Sequence, residues 1–333
     1  MATPAGQPSA GSEVTIAFIG DQGLGVDSEA VLELILDEGA DAVVHSGDFD
    51  YQDDPAAWDA QIDSVLGPDF PYFASVGNHD ESLFYAPGGY QDRLEDRMIR
   101  IGIPWTGDLG VQSTHYYQGV FIVMTAPDVF GAGDGDHDLF IQDALAADHS
   151  LWSISSWHKT MHAMQVGAKS NATGWGVYEA SRRGGAIIAT GHEHSYSRTH
   201  LLSDIEHQTI ASSSDLLILA ADDPTTPEDE GRSFVFVSGL GGQSIREQLS
   251  ADPWWASIYT SDQGADFGAL FGVFRYLGDP RVARFYFKDV SGAVADDFLV
   301  VSALPEPDTT ISLLAGSALL ELLRRRRRSA ERR

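Results

Sequence analysis

The stretch Val44-His45-Ser46-Gly47-Asp48-Phe49-Asp50-Tyr51 decides how the rest of the chain is read. Ala42, Val43 and Val44 form the end of a buried strand, and the apolar run at residues 31–36 before them reads as a helix stopped at Gly39. Gly47 breaks the strand where a turn is wanted. Asp48 then leaves the strand's carboxyl end, the edge at which α/β proteins bind ligands. A carboxylate there can bridge two hard cations, and a phenolate three residues on can reach one of them. Tyr is a rare ligand, suited to a strongly Lewis-acidic ion such as ferric iron. Taken alone, the segment also reads as a strand-to-loop turn with a solvated Asp and a packed Tyr. Its companion segments decide between the two.

Upstream, residues 13–19 alternate into a strand that ends at Gly20-Asp21-Gln22-Gly23-Leu24-Gly25. The spacing is G-x-x-G-x-G, not the G-x-G-x-x-G of a dinucleotide loop, and Asp21 would face a pyrophosphate. What remains is a second carboxylate at a strand end. Downstream, a short helix over residues 58–66 and a strand over 71–76 lead into Gly77-Asn78-His79-Asp80. An Asn carbonyl can ligate a metal while the adjacent His stays free for protons or substrate; the same residues also serve as plain turn punctuation. Residues 83–110 read as a loop-rich aromatic rim, 116–125 as a strand and 139–147 as a helix.

A strand over 151–157 delivers His158, with Lys159 and His162 following. A lone His in such a place is more often a surface residue than a ligand. After a helix at 175–183, the buried strand 186–190 runs into Gly191-His192-Glu193-His194. Strand alternation would send the two His to opposite faces, but a turn lets each reach a different ion of a pair. The remainder is β-rich, with strands at 233–237, 272–277, 282–288 and 298–301, and residues 222–230 form an acidic, solvated loop.

The 333 residues suffice for one large α/β domain or two ordinary ones, and 43% hydrophobic residues supply a core. Cysteine is absent, so disulfides and thiolate metal sites are excluded and any metal is held by oxygen and imidazole. The net charge is −28, and it is uneven: residues 303–333 hold seven Arg and four acidic residues, leaving a body with 14 basic and 45 acidic residues. Such a body repels nucleic acid. A bound phosphate ester would have to be attracted by local cations.

Five strand ends thus carry Asp21, Asp48 with Tyr51, Asn78 with His79, His158, and His192 with His194. In order and chemistry this set resembles the calcineurin-like metallophosphoesterases over residues 13–302. Most of that superfamily opens with D-x-H, whereas the third position here is Gly23. GD-x-G followed by GD-x-x-Y is similar to the purple acid phosphatase branch. The resemblance implies a four-layer α/β sandwich, two mixed sheets flanked by helices, with a dinuclear site on strand-end loops. It implies that Asp21, Tyr51, His194 and one oxygen of Asp48 hold Fe(III). The other Asp48 oxygen, Asn78, His158 and His192 would hold Fe(II), Zn(II) or Mn(II). His79 would contact substrate, and His162 is the near candidate for the general acid. Two cations about 3.5–4 Å apart would neutralise a small phosphate ester, acidify a water and stabilise in-line displacement. The expected function is hydrolysis of phosphate monoesters by hydroxide attack. The rivals are a phosphodiesterase or nucleotide pyrophosphatase on the same site, and a surface-anchored protein that keeps the fold without turnover.

The two ends read separately from this domain. Residues 1–12 are small and polar, expected to be disordered, and not a signal peptide. Residues 303–333 begin Ala303-Leu304-Pro305-Glu306-Pro307, continue in an apolar run at 310–323 interrupted by Glu321, and end in an Arg cluster from Arg324. The run is short for a full membrane span, and the Arg would stay cytoplasmic. Pro-Glu-Pro, apolar helix and Arg cluster resemble the PEP-CTERM sorting signal of Gram-negative bacteria. That resemblance implies recognition by an exosortase-type enzyme, membrane contact through the tail alone, and a periplasmic or cell-surface destination. An amphipathic helix with a basic end is the competing reading.

Overall fold

The structure, a computed structural model, describes residues 12–304 apart from 132–134, 224 and 227–229. The terminal segment 1–11 and the tail from 305 onward lie outside the described residues, and with them the expectations of a disordered start and a sorting signal. In chain order the first half holds β1 (Val14–Ile19), α1 (Val26–Asp37), β2 (Ala42–His45), α2 (Pro55–Val65), β3 (Tyr72–Ala74), α3 (Tyr90–Ile101), β4 (Trp105–Asp108), β5 (Gln112–Tyr117), β6 (Val120–Thr125), α4 (His137–Ala147) and β7 (Trp152–Trp157). The second half holds α5 (Gly176–Arg183), β8 (Ile187–Thr190), β9 (Tyr196–Thr199), β10 (Leu201–Asp204), β11 (Thr209–Ser212), β12 (Leu216–Asp222), β13 (Glu230–Arg232), β14 (Val235–Ser238), β15 (Trp255–Tyr259), β16 (Gly268–Phe274), β17 (Val282–Asp289) and β18 (Val294–Ser302).

Two mixed sheets of eight strands each dominate. One runs β13-β12-β18-β17-β16-β1-β2-β3, the other β15-β9-β14-β8-β7-β6-β5-β4, and β10-β11 form a separate hairpin. Strands β1, β2 and β3 are mutually parallel, as are β6, β7, β8 and β14. Parallel strands buried on both faces read as near-continuous apolar runs; β2, β6 and β8 are buried along their whole lengths, and so is β7 despite Ser153, Ser155 and Ser156. The faces meet at Phe18 of β1 and Phe236 of β14, edge to face at 5.2 Å. Helices α1–α3 cover the first sheet, where Phe49, Trp58, Tyr72 and Tyr90 pack together. A second apolar cluster, including Ile141, Trp157, Val177 and Tyr178, seats α4 and α5 on the other sheet. This is the α/β sandwich expected from the sequence.

Three local expectations are corrected. The supposed rim at 83–110 contains α3, opened at Gly89 and closed by Gly102 in the left-handed region. Its buried stripe uses Arg97 beside Tyr90, Leu94 and Met98, so it lacks a clean apolar period. Arg97 is matched there by Asp59 and Asp63 of α2. The single strand expected at 116–125 is a hairpin, β5 and β6, turned at Gln118-Gly119 with both residues at positive φ. The strand expected at 272–277 ends at Phe274, because Arg275 and Leu277 adopt φ near +57° and break the ladder. In the acidic loop the described members Asp222, Asp223 and Glu230 are exposed.

Candidate metal centre

The carboxyl ends of β1, β2 and β3 in one sheet meet those of β7 and β8 in the other. Ser46 Oγ lies 3.0 Å from Ser156 Oγ, and the Ser75 hydroxyl donates to Ser156 O (2.9 Å), so the two sheets are tied beside the site. The loops after β2 and β3 then close on each other through glycine. A Cβ on Gly77 would stand 2.2 Å from both the amide N and Oδ1 of Asp48, so no side chain fits there.

The structure gathers the residues singled out in the sequence into two adjoining groups. In the first, the Tyr51 hydroxyl donates to Asp21 Oδ1 (2.8 Å), and His194 Nε2 lies 3.2 Å from both. In the second, His158 Nε2 lies 3.1 Å from Asp48 Oδ2 and 3.1 Å from His192 Nδ1. The groups are joined by the His192 amide, which donates to the remaining oxygen of Asp21 (2.8 Å). His192, at φ 70°, supplies the turn that sends it to one group and His194 to the other.

The donor chemistry fits cations. His158 Nδ1 faces Ser46 O at 2.7 Å, which makes Nδ1 the protonated nitrogen and leaves a lone pair on Nε2. In the neutral ring that lone pair points at a carboxylate oxygen and a second imidazole nitrogen, so without a cation a proton has to be held between them. Asp48, His158 and His192 each bring one donor atom within 4.8 Å of the others. Asn78 Oδ1 is buried with no hydrogen-bond partner, an orphan that a metal would satisfy.

Electrostatics point the same way. Burial opposes ionisation of Asp21 and Asp48, yet the facing imidazoles hold both carboxyls below their ordinary range. Burial would push His158 down, but the Asp48 and Asp21 carboxylates override it and raise the imidazole to about 9. A proton there supplies positive charge that the cluster otherwise lacks. His192 is driven down to about 2 by burial and the His158 charge. Burial, then the Asp21 and Asp48 charges, push the Tyr51 phenol far up, so only a strong Lewis acid would take its proton.

The two residues expected to act on substrate, His79 and His162, both lie at the surface. His79 is exposed, its ring 4.5 Å from that of Tyr51, and its amide donates to Asp48 Oδ1 (2.9 Å). His162 is exposed, with its Nδ1 on Lys169 O (2.8 Å) and its amide on Asn171 Oδ1 (2.8 Å). Those contacts brace a loop. Asp50, set aside as a ligand from the sequence, accepts from the amides of Gln52 and Asp54 and from the Tyr90 hydroxyl, so it holds the Tyr51 turn.

Sequence reasoning missed Asp80, Ser244, Lys169 and Arg246. Asp80 is fully buried and accepts from the amides of Asp48 (2.9 Å), Phe49 (2.7 Å) and Gly77 (2.7 Å). Its place directly after Asn78-His79 was the available signal. Ser244 Oγ meets His194 Nδ1, and nothing local in the sequence links those two.

Comparison with known proteins bears on the family and the fold. The sequence model described as calcineurin-like phosphoesterase matches residues 14–196, more than half of the chain. No curated protein sequence matches. Among solved structures, purple acid phosphatase PPD1 from yellow lupin (Lupinus luteus) seeds superposes with a TM-score of 0.63 at 18% identity, over 90% of this chain. This chain spans 57% of the lupin protein's length. GAP50, the anchor in the inner membrane complex of Plasmodium, gives 0.54 at 11% identity, covering 93% of this chain and 94% of its own. PhoD gives 0.52 at 13% identity, over 94% and 74%.

Proposed function

The chain belongs to the calcineurin-like phosphoesterase family, and from that premise we propose that it is a purple acid phosphatase-like hydrolase of small phosphate monoesters. The observation that carries this reading is the convergence of donor atoms of Asp48, His158 and His192 within 4.8 Å of one another, beside the Asp21–Tyr51–His194 group and supported by an orphaned Asn78 oxygen. Asp21, Tyr51 and His194 would hold Fe(III), and Asn78, His158 and His192 would hold Fe(II), Zn(II) or Mn(II), with Asp48 shared. When bound, the two ions would supply Lewis acidity to the ester and to a water. The chain's own part is to fix the donors on clamped turns. It also presents His79, exposed above the Tyr51 ring, to the substrate.

A phosphodiesterase would use the same donors. Structural likeness to GAP50 keeps a non-catalytic anchor in view, but a fold retained without turnover has no use for a complete donor set. Reconstitution with iron and zinc or manganese, followed by p-nitrophenyl phosphate and bis(p-nitrophenyl) phosphate assays, tests the proposal. Fast monoester turnover that chelation abolishes is expected. A diester preference would favour the phosphodiesterase, and no turnover in metal-loaded protein would refute both. We also propose export with exosortase-type processing, on the sequence of residues 305–328. Mass spectrometry finding only intact tail peptides, and only in the cytoplasm of a host that processes such tails, would refute it.

A further inference from the structure

The chain contains three lysines. Lys159 pairs with Asp128 at 2.9 Å and Lys288 with Glu38 at 2.5 Å. Lys169 makes no ion pair among the described residues, although the body holds 45 acidic ones. It lines a cavity of about 540 Å³ with Gly167, Glu193, Arg246 and Leu249. Arg246 is also underused: its guanidinium reaches Glu193 Oε2, His192 O and His194 Nε2 only at 3.3–3.4 Å. Both side chains therefore have N–H donors to spare beside the metal-donor groups.

The backbone that presents them is braced. Leu249 and Ser250 both donate to Val166 O (2.7 and 3.0 Å), which ties the Lys169 loop to the Arg246 loop. The Arg246 amide donates to His194 O (3.0 Å). Gln165 Nε2 joins His162 in holding Lys169 O. Burial and the Arg246 charge pull the Lys169 ammonium down from its ordinary range, while Asp21, Glu193 and Asp48 pull the other way, so it lies in the field of both donor groups.

We infer that Lys169 and Arg246 clamp the non-reacting oxygens of a dianionic phosphate at the mouth of the metal centre, an inference that rests on the phosphoesterase reading. A guanidinium fork and an ammonium point charge favour a phosphate with two charges over one esterified twice.

The test uses the metal-loaded full chain and Lys169→Met, with Arg246→Gln as the second variant. The ratio of kcat/KM for p-nitrophenyl phosphate to that for the bis diester should fall about tenfold, mostly through KM, the scale of one lost charge-assisted contact. Lys169→Arg should restore it. Independently of turnover, inorganic phosphate should raise the melting temperature of the wild type and of Lys169→Arg, and raise that of Lys169→Met less. An unchanged ratio and an unchanged phosphate shift in both loss variants would overturn the clamp. If wild-type protein retains metal but hydrolyses neither ester, the phosphoesterase reading fails and the clamp with it.

Discussion

Asp80 offers the most direct test of how the centre is built. Its carboxylate is fully buried and receives three backbone N–H groups, from Asp48, Phe49 and Gly77, at 2.7–2.9 Å. Burial and the Asp48 charge push its carboxyl above the ordinary range, while the amides of Phe49 and Gly77 oppose that rise. Asp80→Ala strands all three donors, and each buried unsatisfied donor costs about 1–3 kcal/mol. Water entering the vacated space would recover part, so a loss of about 3–5 kcal/mol is expected, a large share of the ~5–15 kcal/mol that holds a domain together. Asp80→Asn is a graded control. Its carbonyl can keep the amides of Asp48 and Gly77, which share Oδ2 in the native protein, and its NH₂ group then faces the Phe49 amide. One unmet donor predicts about 1–3 kcal/mol. Because Asp48 sits at φ 59° on the turn that Asp80 pins, metal affinity should fall in the same order. Urea unfolding followed by tryptophan fluorescence, with metal content read by mass spectrometry after chelator challenge, measures both. If Asp80→Ala stays within about 0.5 kcal/mol of wild type and keeps two ions, the clamp argument is wrong.

Three further outcomes follow from the same geometry. Asp48→Ala should cost both metal equivalents, since the proposed centre shares Asp48 between its two ions; retention of one tightly held ion with full activity would refute the sharing. Tyr51→Phe should abolish a pink to purple phenolate-to-iron band and leave the fold intact, because ring volume is kept. A colourless wild-type enzyme of full activity would instead reduce Tyr51 to a packing residue. His115 is 2% exposed against Phe73, and burial holds its imidazole down to about 4. The unfolded chain binds that proton near pH 6.5 and the folded one does not, so stability should drop as pH falls from about 6.5 to 4, by about 3 kcal/mol from this residue. His115→Phe should flatten that part of the urea-midpoint profile against pH, and an unaltered slope would refute the assignment.

Much of the centre was legible because its chemistry is written locally. Each donor follows a buried strand by a few residues, so strand, Gly turn and donor appear together, as in Val44 to Asp48 or Ile188 to His192. What stayed hidden depends on residues distant in sequence. Helix α3 buries Arg97 where an apolar residue would have signalled a helix, and its neutralising partners Asp59 and Asp63 lie on another helix. Strands β9–β11 have four residues each, and β10 and β11 carry polar residues, so neither period nor length marks them. Lys169 and Arg246, far apart in sequence, line one cavity, where the Val166 carbonyl shared by two amides of the second loop ties their loops together.

The donors themselves sit on an unusual backbone, which explains why buried carboxylates surround them. Asp21, Asp48, Tyr51 and His192 all have φ between 57° and 70°. Asp tolerates this left-handed region through local hydrogen bonds, but Tyr and His adopt it at a cost of about 1–2 kcal/mol each. Each strained turn has its own brace. Asp50 accepts from the amides of Gln52 and Asp54 around Tyr51, Asp80 accepts from those of Asp48 and Phe49, and Asp21 accepts from the His192 amide itself. Carboxylates therefore fill two roles within a few residues of each other: Asp48 offers its oxygens to the centre, while Asp50 and Asp80 spend theirs on backbone. The sequence pattern distinguishes these roles poorly, because the residue type is the same. The amide count around each carboxylate distinguishes them: one amide on Asp48, two on Asp50, three on Asp80. A carboxylate whose lone pairs are already taken by amides has few left for a cation, and that assigns the clamps and the donor.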